Sequence, residues 1–194
     1  MTSAAVRTAF SAHDDARVAR AWSALQDVLD PEVPVLSVCD LGIVREVRPR
    51  AEGGLAVVLT PTYSGCPATE VIADSVRTAL EDAGLGPISI ETRFAPAWTT
   101  DWISVEAREK LRAYGIAPPA AGANAASGHS DASRGDAVPL RFVPRRISPP
   151  EPALACPRCE SDDTERLSAF GSTACKALWR CRACGEPFEH FKPI

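Results

Sequence analysis

The stretch Thr60-Pro61-Thr62-Tyr63-Ser64-Gly65-Cys66-Pro67-Ala68 joins the unbroken apolar run Leu55 to Leu59 to a segment, Val71 to Ala83, whose apolar residues recur at helical spacing. Cys66 therefore falls where a strand turns into a helix, and Pro67 suits the first helical position. The first N–H groups of a helix lack intrahelical partners and, with the macrodipole, favour an anion nearby. A thiolate is such an anion: cysteines so placed can fall from a pKa of about 8.5 to roughly 3.5–7.5. A small packed apolar residue is the alternative reading of Cys66.

Outward from this stretch, Ile72, Val76, Ala79, Leu80 and Ala83 define one face of the helix, and Gly84 is placed to end it. Ile88, Ile90 and Phe94 alternate with Ser89, Glu91 and Arg93, which predicts a strand with one wet face. A right-handed crossover makes that strand parallel to the one before Cys66, so the Cys66 loop lies at a sheet end. Upstream, Asp40 to Val47 predicts a strand that turns through Glu52-Gly53-Gly54 into Leu55 to Thr60, a hairpin. Before it, Val18, Trp22, Leu25 and Leu29 mark an amphipathic helix over Asp14 to Leu29, stopped by Asp30-Pro31-Glu32-Val33-Pro34, whose prolines demand a rigid loop. Downstream, Thr100 or Asp101 can cap a last helix with Ile103, Ala107, Leu111 and Tyr114 on its apolar face and Gly115 past its end. The fold class is α+β: a small mixed-sheet α-β-β-α-β-α domain over residues 1–115.

Residues 116–153 are rich in Ala, Gly, Ser and Pro and read as a flexible linker, with Val138 to Val143 a short extended candidate. Residues 154–194 carry Cys156-Pro-Arg-Cys159 and Cys181-Arg-Ala-Cys184, with 21 residues between the pairs. That spacing predicts two knuckles supplying four thiolates to one tetrahedral ion, a zinc ribbon whose metal holds together a segment too short to fold on its core alone. Zinc is the default, and iron uses the same thiolates. His190 could replace a ligand, but four cysteines already suffice. Cys175 is an extra thiol that this site does not need, readable as a packed strand residue or as an exposed group for transfer or contact. Cys39 reads as buried.

The whole chain has 194 residues, 45% of them hydrophobic, and a net charge of −4. No apolar run reaches the roughly 18 residues of a membrane span and the N-terminus has no apolar leader, which places the chain in the cytoplasm with no membrane partner. Thiol pairs in a reducing compartment indicate metal rather than disulfides. From Cys156 to Ile194 six Lys or Arg balance six Asp or Glu, against a nucleic-acid partner. A Gly-rich phosphate loop, a Gly-x-Ser-x-Gly elbow and a His-Glu-x-x-His motif are all missing, and only His13 could serve Cys66 as a base. The chain is expected to have no catalytic activity of its own. Trp98 and Trp102 read as core residues or as a docking surface.

Asp30-Pro-Glu-Val-Pro34, Asp40-Leu-Gly-Ile-Val44 and Gly65-Cys66-Pro67 together resemble the SufT-like iron–sulfur assembly domain. The longer strings Thr60 to Ala68 and Phe170-Gly-Ser-Thr-Ala-Cys-Lys-Ala-Leu-Trp-Arg-Cys181, with Cys184-Gly-Glu-Pro-Phe188, resemble the PaaD (PaaJ) family of phenylacetyl-CoA epoxidase accessory proteins. The resemblance implies an accessory protein of aerobic phenylacetate degradation that helps load or maintain metal centres of a multicomponent oxygenase. Its partners would be the di-iron oxygenase subunit and the iron–sulfur flavin reductase. It implies that Cys66 handles iron or a transient iron–sulfur cluster, with Asp30 and Glu32 as the acidic loop; Asp40, Thr60 and Thr62 are the further supporting residues expected around it. Where related domains have Ala and Pro before the Gly-Cys-Pro, this chain has Tyr63 and Ser64. A non-catalytic structural component of the oxygenase, docking through Trp98, Trp102 and the ribbon, is the alternative, and a homodimer would bring two Cys66 loops together.

Overall fold

A computed structural model describes residues 12–63, 65–119 and 154–193. The first helix, α1 (Ala12–Leu25), buries Ala21 and Leu25 completely. It ends four residues before the expected Leu29, because Gln26, Asp27 and Val28 donate to the carbonyls three residues back, a tightened last turn. The chain then loops through Asp30 to Gly42 and enters β1 (Val44–Pro49), which pairs antiparallel with β2 (Leu55–Leu59). The strand starts later than Asp40 because Gly42 adopts φ +66°, where a β-carbon would come within 2.8 Å of Trp102.

All five residues of β2 are buried, as befits a central strand covered on both faces. From its end the chain passes through the Cys66 loop into α2 (Ala68–Asp82) and returns in β3 (Ile88–Thr92), parallel to β2, giving the order β1-β2-β3. Pro67 is the residue capping α2 rather than its first turn. Helix α2 has no cation in its own last turn; Arg20 of α1 supplies one by donating to the Ala83 carbonyl at 2.8 Å. On β3, Ile88 to Glu91 are all half-buried, without the expected alternation of wet and dry faces, since this edge strand is only partly covered on either side.

A 3-10 turn at Thr100–Trp102 precedes α3 (Val105–Tyr114). Neither Thr100 nor Asp101 caps α3: Ser104 does, its hydroxyl accepting from Ala107 N–H at 3.0 Å, while Gly115 ends the helix in the left-handed region as expected. Tyr114 is exposed rather than on the buried face.

After α3 the chain enters a second sheet at once. Strand β4 (Ile116–Ala117) pairs parallel with β7 (Pro187–Phe191), which lies antiparallel to β6 (Lys176–Cys181), itself antiparallel to β5 (Thr164–Ser168). Positions 116–117, the first of the expected linker, are thus in a strand; residues 120–153, including the Val138 to Val143 candidate, lie outside the described residues.

The second sheet contributes to two cores. Ile116, Cys175 and Phe191 belong to the large apolar core built by α1, the first sheet and α2, whereas Ala117, Ala177, Trp179, Cys181 and Phe188 pack with Cys156 around the cysteine knuckles. The two sheets are fastened by Phe191, 1% exposed, whose ring lies 6.0 Å from that of Trp98. Trp98 is buried and donates from Nε1 to the Leu41 carbonyl at 2.9 Å. Trp102 sits half-buried under the Arg45 guanidinium, 3.5 Å from its ring centre. Trp98 is therefore a core residue, and the two tryptophans do not form a shared docking surface.

Candidate functional site

Two thiol sites face different sides of the second sheet. In the ribbon, each Cys-x-x-Cys turns back so that the residue after its second cysteine donates to the carbonyl of the first: Glu160 N–H to Cys156 at 2.9 Å, and Gly185 N–H to Cys181 at 2.9 Å. Both residues have positive φ, 61° at Glu160 and 79° at Gly185. The equivalent turns aim the sulfurs of Cys156, Cys159, Cys181 and Cys184 at one point, all within 4.8 Å of one another. Zn–S bonds of about 2.3 Å in a tetrahedron separate sulfurs by about 3.8 Å; Cys156–Cys184 and Cys159–Cys181 stand at 3.9 and 3.5 Å. The four cysteines fit a tetrathiolate zinc site. Backbone N–H of Cys184, with the neighbouring thiols, draws the Cys181 thiol down to about 7, toward the thiolate that a metal requires. His190 takes no part in this cluster: it stands edge-on to Trp179, its pKa lowered to about 4 by burial.

The second site opens at the end of β2. Cys66 N–H donates to the Tyr63 carbonyl at 3.3 Å and the Cys66 carbonyl accepts from Thr69 N–H at 3.2 Å, so the thiol is delivered from a tight turn at the mouth of α2. Ser64 lies outside the described residues. Cys66 lines a cavity with Asp30, Glu32, Thr62 and Thr69, floored by Val33, Leu41, Ile43, Leu59 and Ile72. Its free volume is about 20 Å³, room for roughly one water-sized sphere.

Asp30, 6% exposed, spends Oδ1 on the loop itself, accepting from Glu32 N–H at 2.9 Å and Val33 N–H at 2.8 Å. Burial pushes its pKa above the usual carboxylate range against those bonds and the nearby Lys176 ammonium. Glu32 is likewise raised by burial and by Asp30. Asp30, Glu32 and Thr62 are thus gathered at Cys66. Asp40 and Thr60 are not among the residues lining the cavity: Asp40 accepts from Ser37 N–H at 3.0 Å and pairs with Lys110 at 2.7 Å, and Thr60 is buried beside Arg45 and Arg93. Cys39 is half-buried and pushed up to about 11 by burial and the Asp40 charge.

Two wall residues come from the ribbon: Phe191 and Cys175. Cys175 is 5% exposed, which removes the reading of an exposed thiol, and its sulfur is 3.0 Å from the Thr173 hydroxyl. Beside it Lys176, 3% exposed, pairs with Glu189 at 2.8 Å and bears electrostatically on Asp30 and Glu32. No local spacing in the sequence could place Cys175 in the Cys66 cavity, because the packing of the second sheet on the first core does so. Among the described residues no set of three Cys, His, Asp or Glu donors other than the ribbon cysteines converges closely enough to hold an ion.

A Gly-Cys-Pro turn on a β-β-α-β frame and a four-cysteine ribbon define an iron–sulfur assembly-type domain carrying a zinc ribbon. Residues 19–91 match the family described as iron-sulfur cluster assembly protein, and residues 143–192 the PaaD zinc beta ribbon domain. The chain is 46% identical over 173 residues to the putative D component of the Escherichia coli 1,2-phenylacetyl-CoA epoxidase, covering 89% of this chain and 91% of that one. It belongs to the PaaD family. Its first part is also similar to proteins named Fe-S protein maturation auxiliary factor: 39% identity over 88 residues to that of Porphyromonas gingivalis (45% of this chain, 83% of the relative) and 34% over 89 residues to YitW of Bacillus subtilis (45% and 86%).

Proposed function

We propose that this protein is a cytoplasmic accessory factor of a phenylacetyl-CoA epoxidase system, in which Cys66 takes up iron or an iron–sulfur cluster and passes it to an oxygenase or reductase component. One observation carries the reading: Cys66 stands at a helix mouth in a cavity with two carboxylates, yet the described residues offer no complete ligand set there. A resident cofactor needs a closed set of ligands, whereas a carrier gains from an open one, because a client's own ligands then displace the cargo stepwise. Among the described residues no histidine lines the cavity; kinship to the maturation auxiliary factors supports an accessory role. Kinship to an epoxidase component and to maturation factors supports a client within such a system, and the clients we propose are its di-iron oxygenase subunit or its iron–sulfur flavin reductase. The ribbon, with its tetrathiolate site, is the structural and recognition part. No helix among the described residues is long and apolar enough to cross a membrane.

The test is replacement of Cys66 by Ser in cells that depend on phenylacetate. The oxygenase and reductase components should then accumulate with depleted iron while the variant itself stays folded; normal iron in both components would contradict the proposal.

A further inference from the structure

We infer that Cys66 and Cys175 act as one two-thiol half-site, in which the ribbon contributes the second sulfur to the cargo held at Cys66. This rests on the reading of Cys66 as a metal-handling residue and adds a ligand to it. Both thiols line the same cavity although Cys66 follows β2 of the first sheet and Cys175 immediately precedes β6 of the second. Glu32, from the loop after α1, lines the cavity with both thiols. The cavity is walled largely by apolar side chains, and two sulfurs, one buried and one half-exposed, suit a soft or borderline cation.

The charge balance agrees. A divalent ion binding to two thiols displaces two protons and forms a neutral M(SR)2 unit, so it adds no net charge to the cavity beside the carboxylates of Asp30 and Glu32. The buried Lys176 ammonium, adjacent in sequence to Cys175, is paired with Glu189. Free space of about 20 Å³ in the cavity that both thiols line leaves room for a single ion. Two ligands hold an ion less tightly than the ribbon's four and leave coordination positions facing the rim for a client's ligands. The fold thus has a use for the seam between its two sheets: docking of the ribbon completes the half-site.

Cobaltous ion reads the number of thiolates through its sulfur-to-metal charge-transfer absorption. Added anaerobically to the full-length, zinc-saturated protein, it should bind at one equivalent beyond the zinc. Cys66→Ser and Cys175→Ser should each weaken that binding at least about 10-fold and reduce the charge-transfer intensity. The double variant should fall little below the weaker single one, because the two sulfurs act as a unit. Wild-type affinity and intensity in Cys175→Ser would overturn the half-site while leaving Cys66 as the carrier residue. Wild-type binding in Cys66→Ser, or no cobalt uptake by the wild type, would overturn both. A second measurement needs no variant: cobalt should shield Cys66 and Cys175 from alkylation with the same concentration dependence, and alkylation of Cys175 indifferent to cobalt would overturn the half-site.

Discussion

The ribbon knuckles and the Cys66 cavity both use sulfur, and they differ in closure. The knuckles draw four sulfurs from two short turns into a sphere of 4.8 Å and leave no position for anything but an ion. The cavity gathers sulfurs from distant parts of the chain, mixes them with carboxylates, and stops short of a ligand set. A closed set contributes to folding, and an open one is suited to exchange. The two sites are also mechanically linked, since β7 gives Phe188 to the ribbon core and Phe191 to the core beneath the cavity, and β4 gives Ala117 and Ile116 likewise.

The largest effect should follow breaking the closed site. Structural zinc in such ribbons is worth roughly 10–16 kcal/mol of apparent binding energy, so Cys181→Ser or strong chelation should unfold β5 to β7. Because Phe191 and Ile116 are in the first core, hydrogen-exchange protection around Leu41 and Leu59 should fall as well. Cys66→Ser should leave the same protection intact. Loss of the ribbon with the first core unchanged would break the mechanical link.

A smaller effect is expected at the seam. Lys176→Met strands the Glu189 carboxylate in a site only 23% exposed, and removing one partner of a buried pair costs about 3 kcal/mol or more. Burial alone would raise Glu189, but the Lys176 ammonium and the Ser172 N–H hold it below its ordinary value of 4.5. A carboxyl depressed in the folded state contributes stability that is complete above its unfolded pKa and disappears as pH falls through its folded one. The gap between wild type and Lys176→Met in urea denaturation should therefore be full at neutral pH and close below 4.5. A gap that stays constant on acidification would contradict the charge pairing of Lys176 with Glu189.

The smallest effect sharpens the comparison between the knuckles themselves. Gly185 takes its positive φ freely, whereas Glu160 takes 61° against the preference of an L side chain. Glu160→Gly should relieve about 1 kcal/mol and raise the midpoint of ribbon unfolding. Gly185→Ala should lower it by a similar amount. Equal and negligible changes at both would mean that the metal, once bound, overrides the turn preference.

The closed site was legible in the sequence because its ligands are local: Cys-x-x-Cys fixes each knuckle within four residues. The frame around Cys66 was legible for the same reason, through the apolar run of β2, the helical spacing of α2 and the Pro-bounded loop at Asp30. Local signals were weaker at element ends. The stop of α1 at Leu25 is made by turn hydrogen bonds rather than by Pro31, and the cap of α3 fell to Ser104 because Thr100 was taken into a 3-10 turn. What the sequence withheld was the seam. That Cys175 and Phe191 close the Cys66 cavity follows from the packing of the turn before β6 and the end of β7 on the first core, which alternation along the strands does not encode. Asp40 was expected at Cys66 by loop proximity, yet its carboxylate bonds Ser37 and Lys110.

The contrast between a closed and an open sulfur site is tested most directly by counting metals. Purified without oxygen and reconstituted with zinc and ferrous iron, the wild-type protein should hold one zinc that survives desalting and one iron that a competing chelator removes. Cys66→Ser should keep the zinc and lose the iron with its thiolate absorption. Identical zinc and iron contents and spectra in the two proteins would contradict the account.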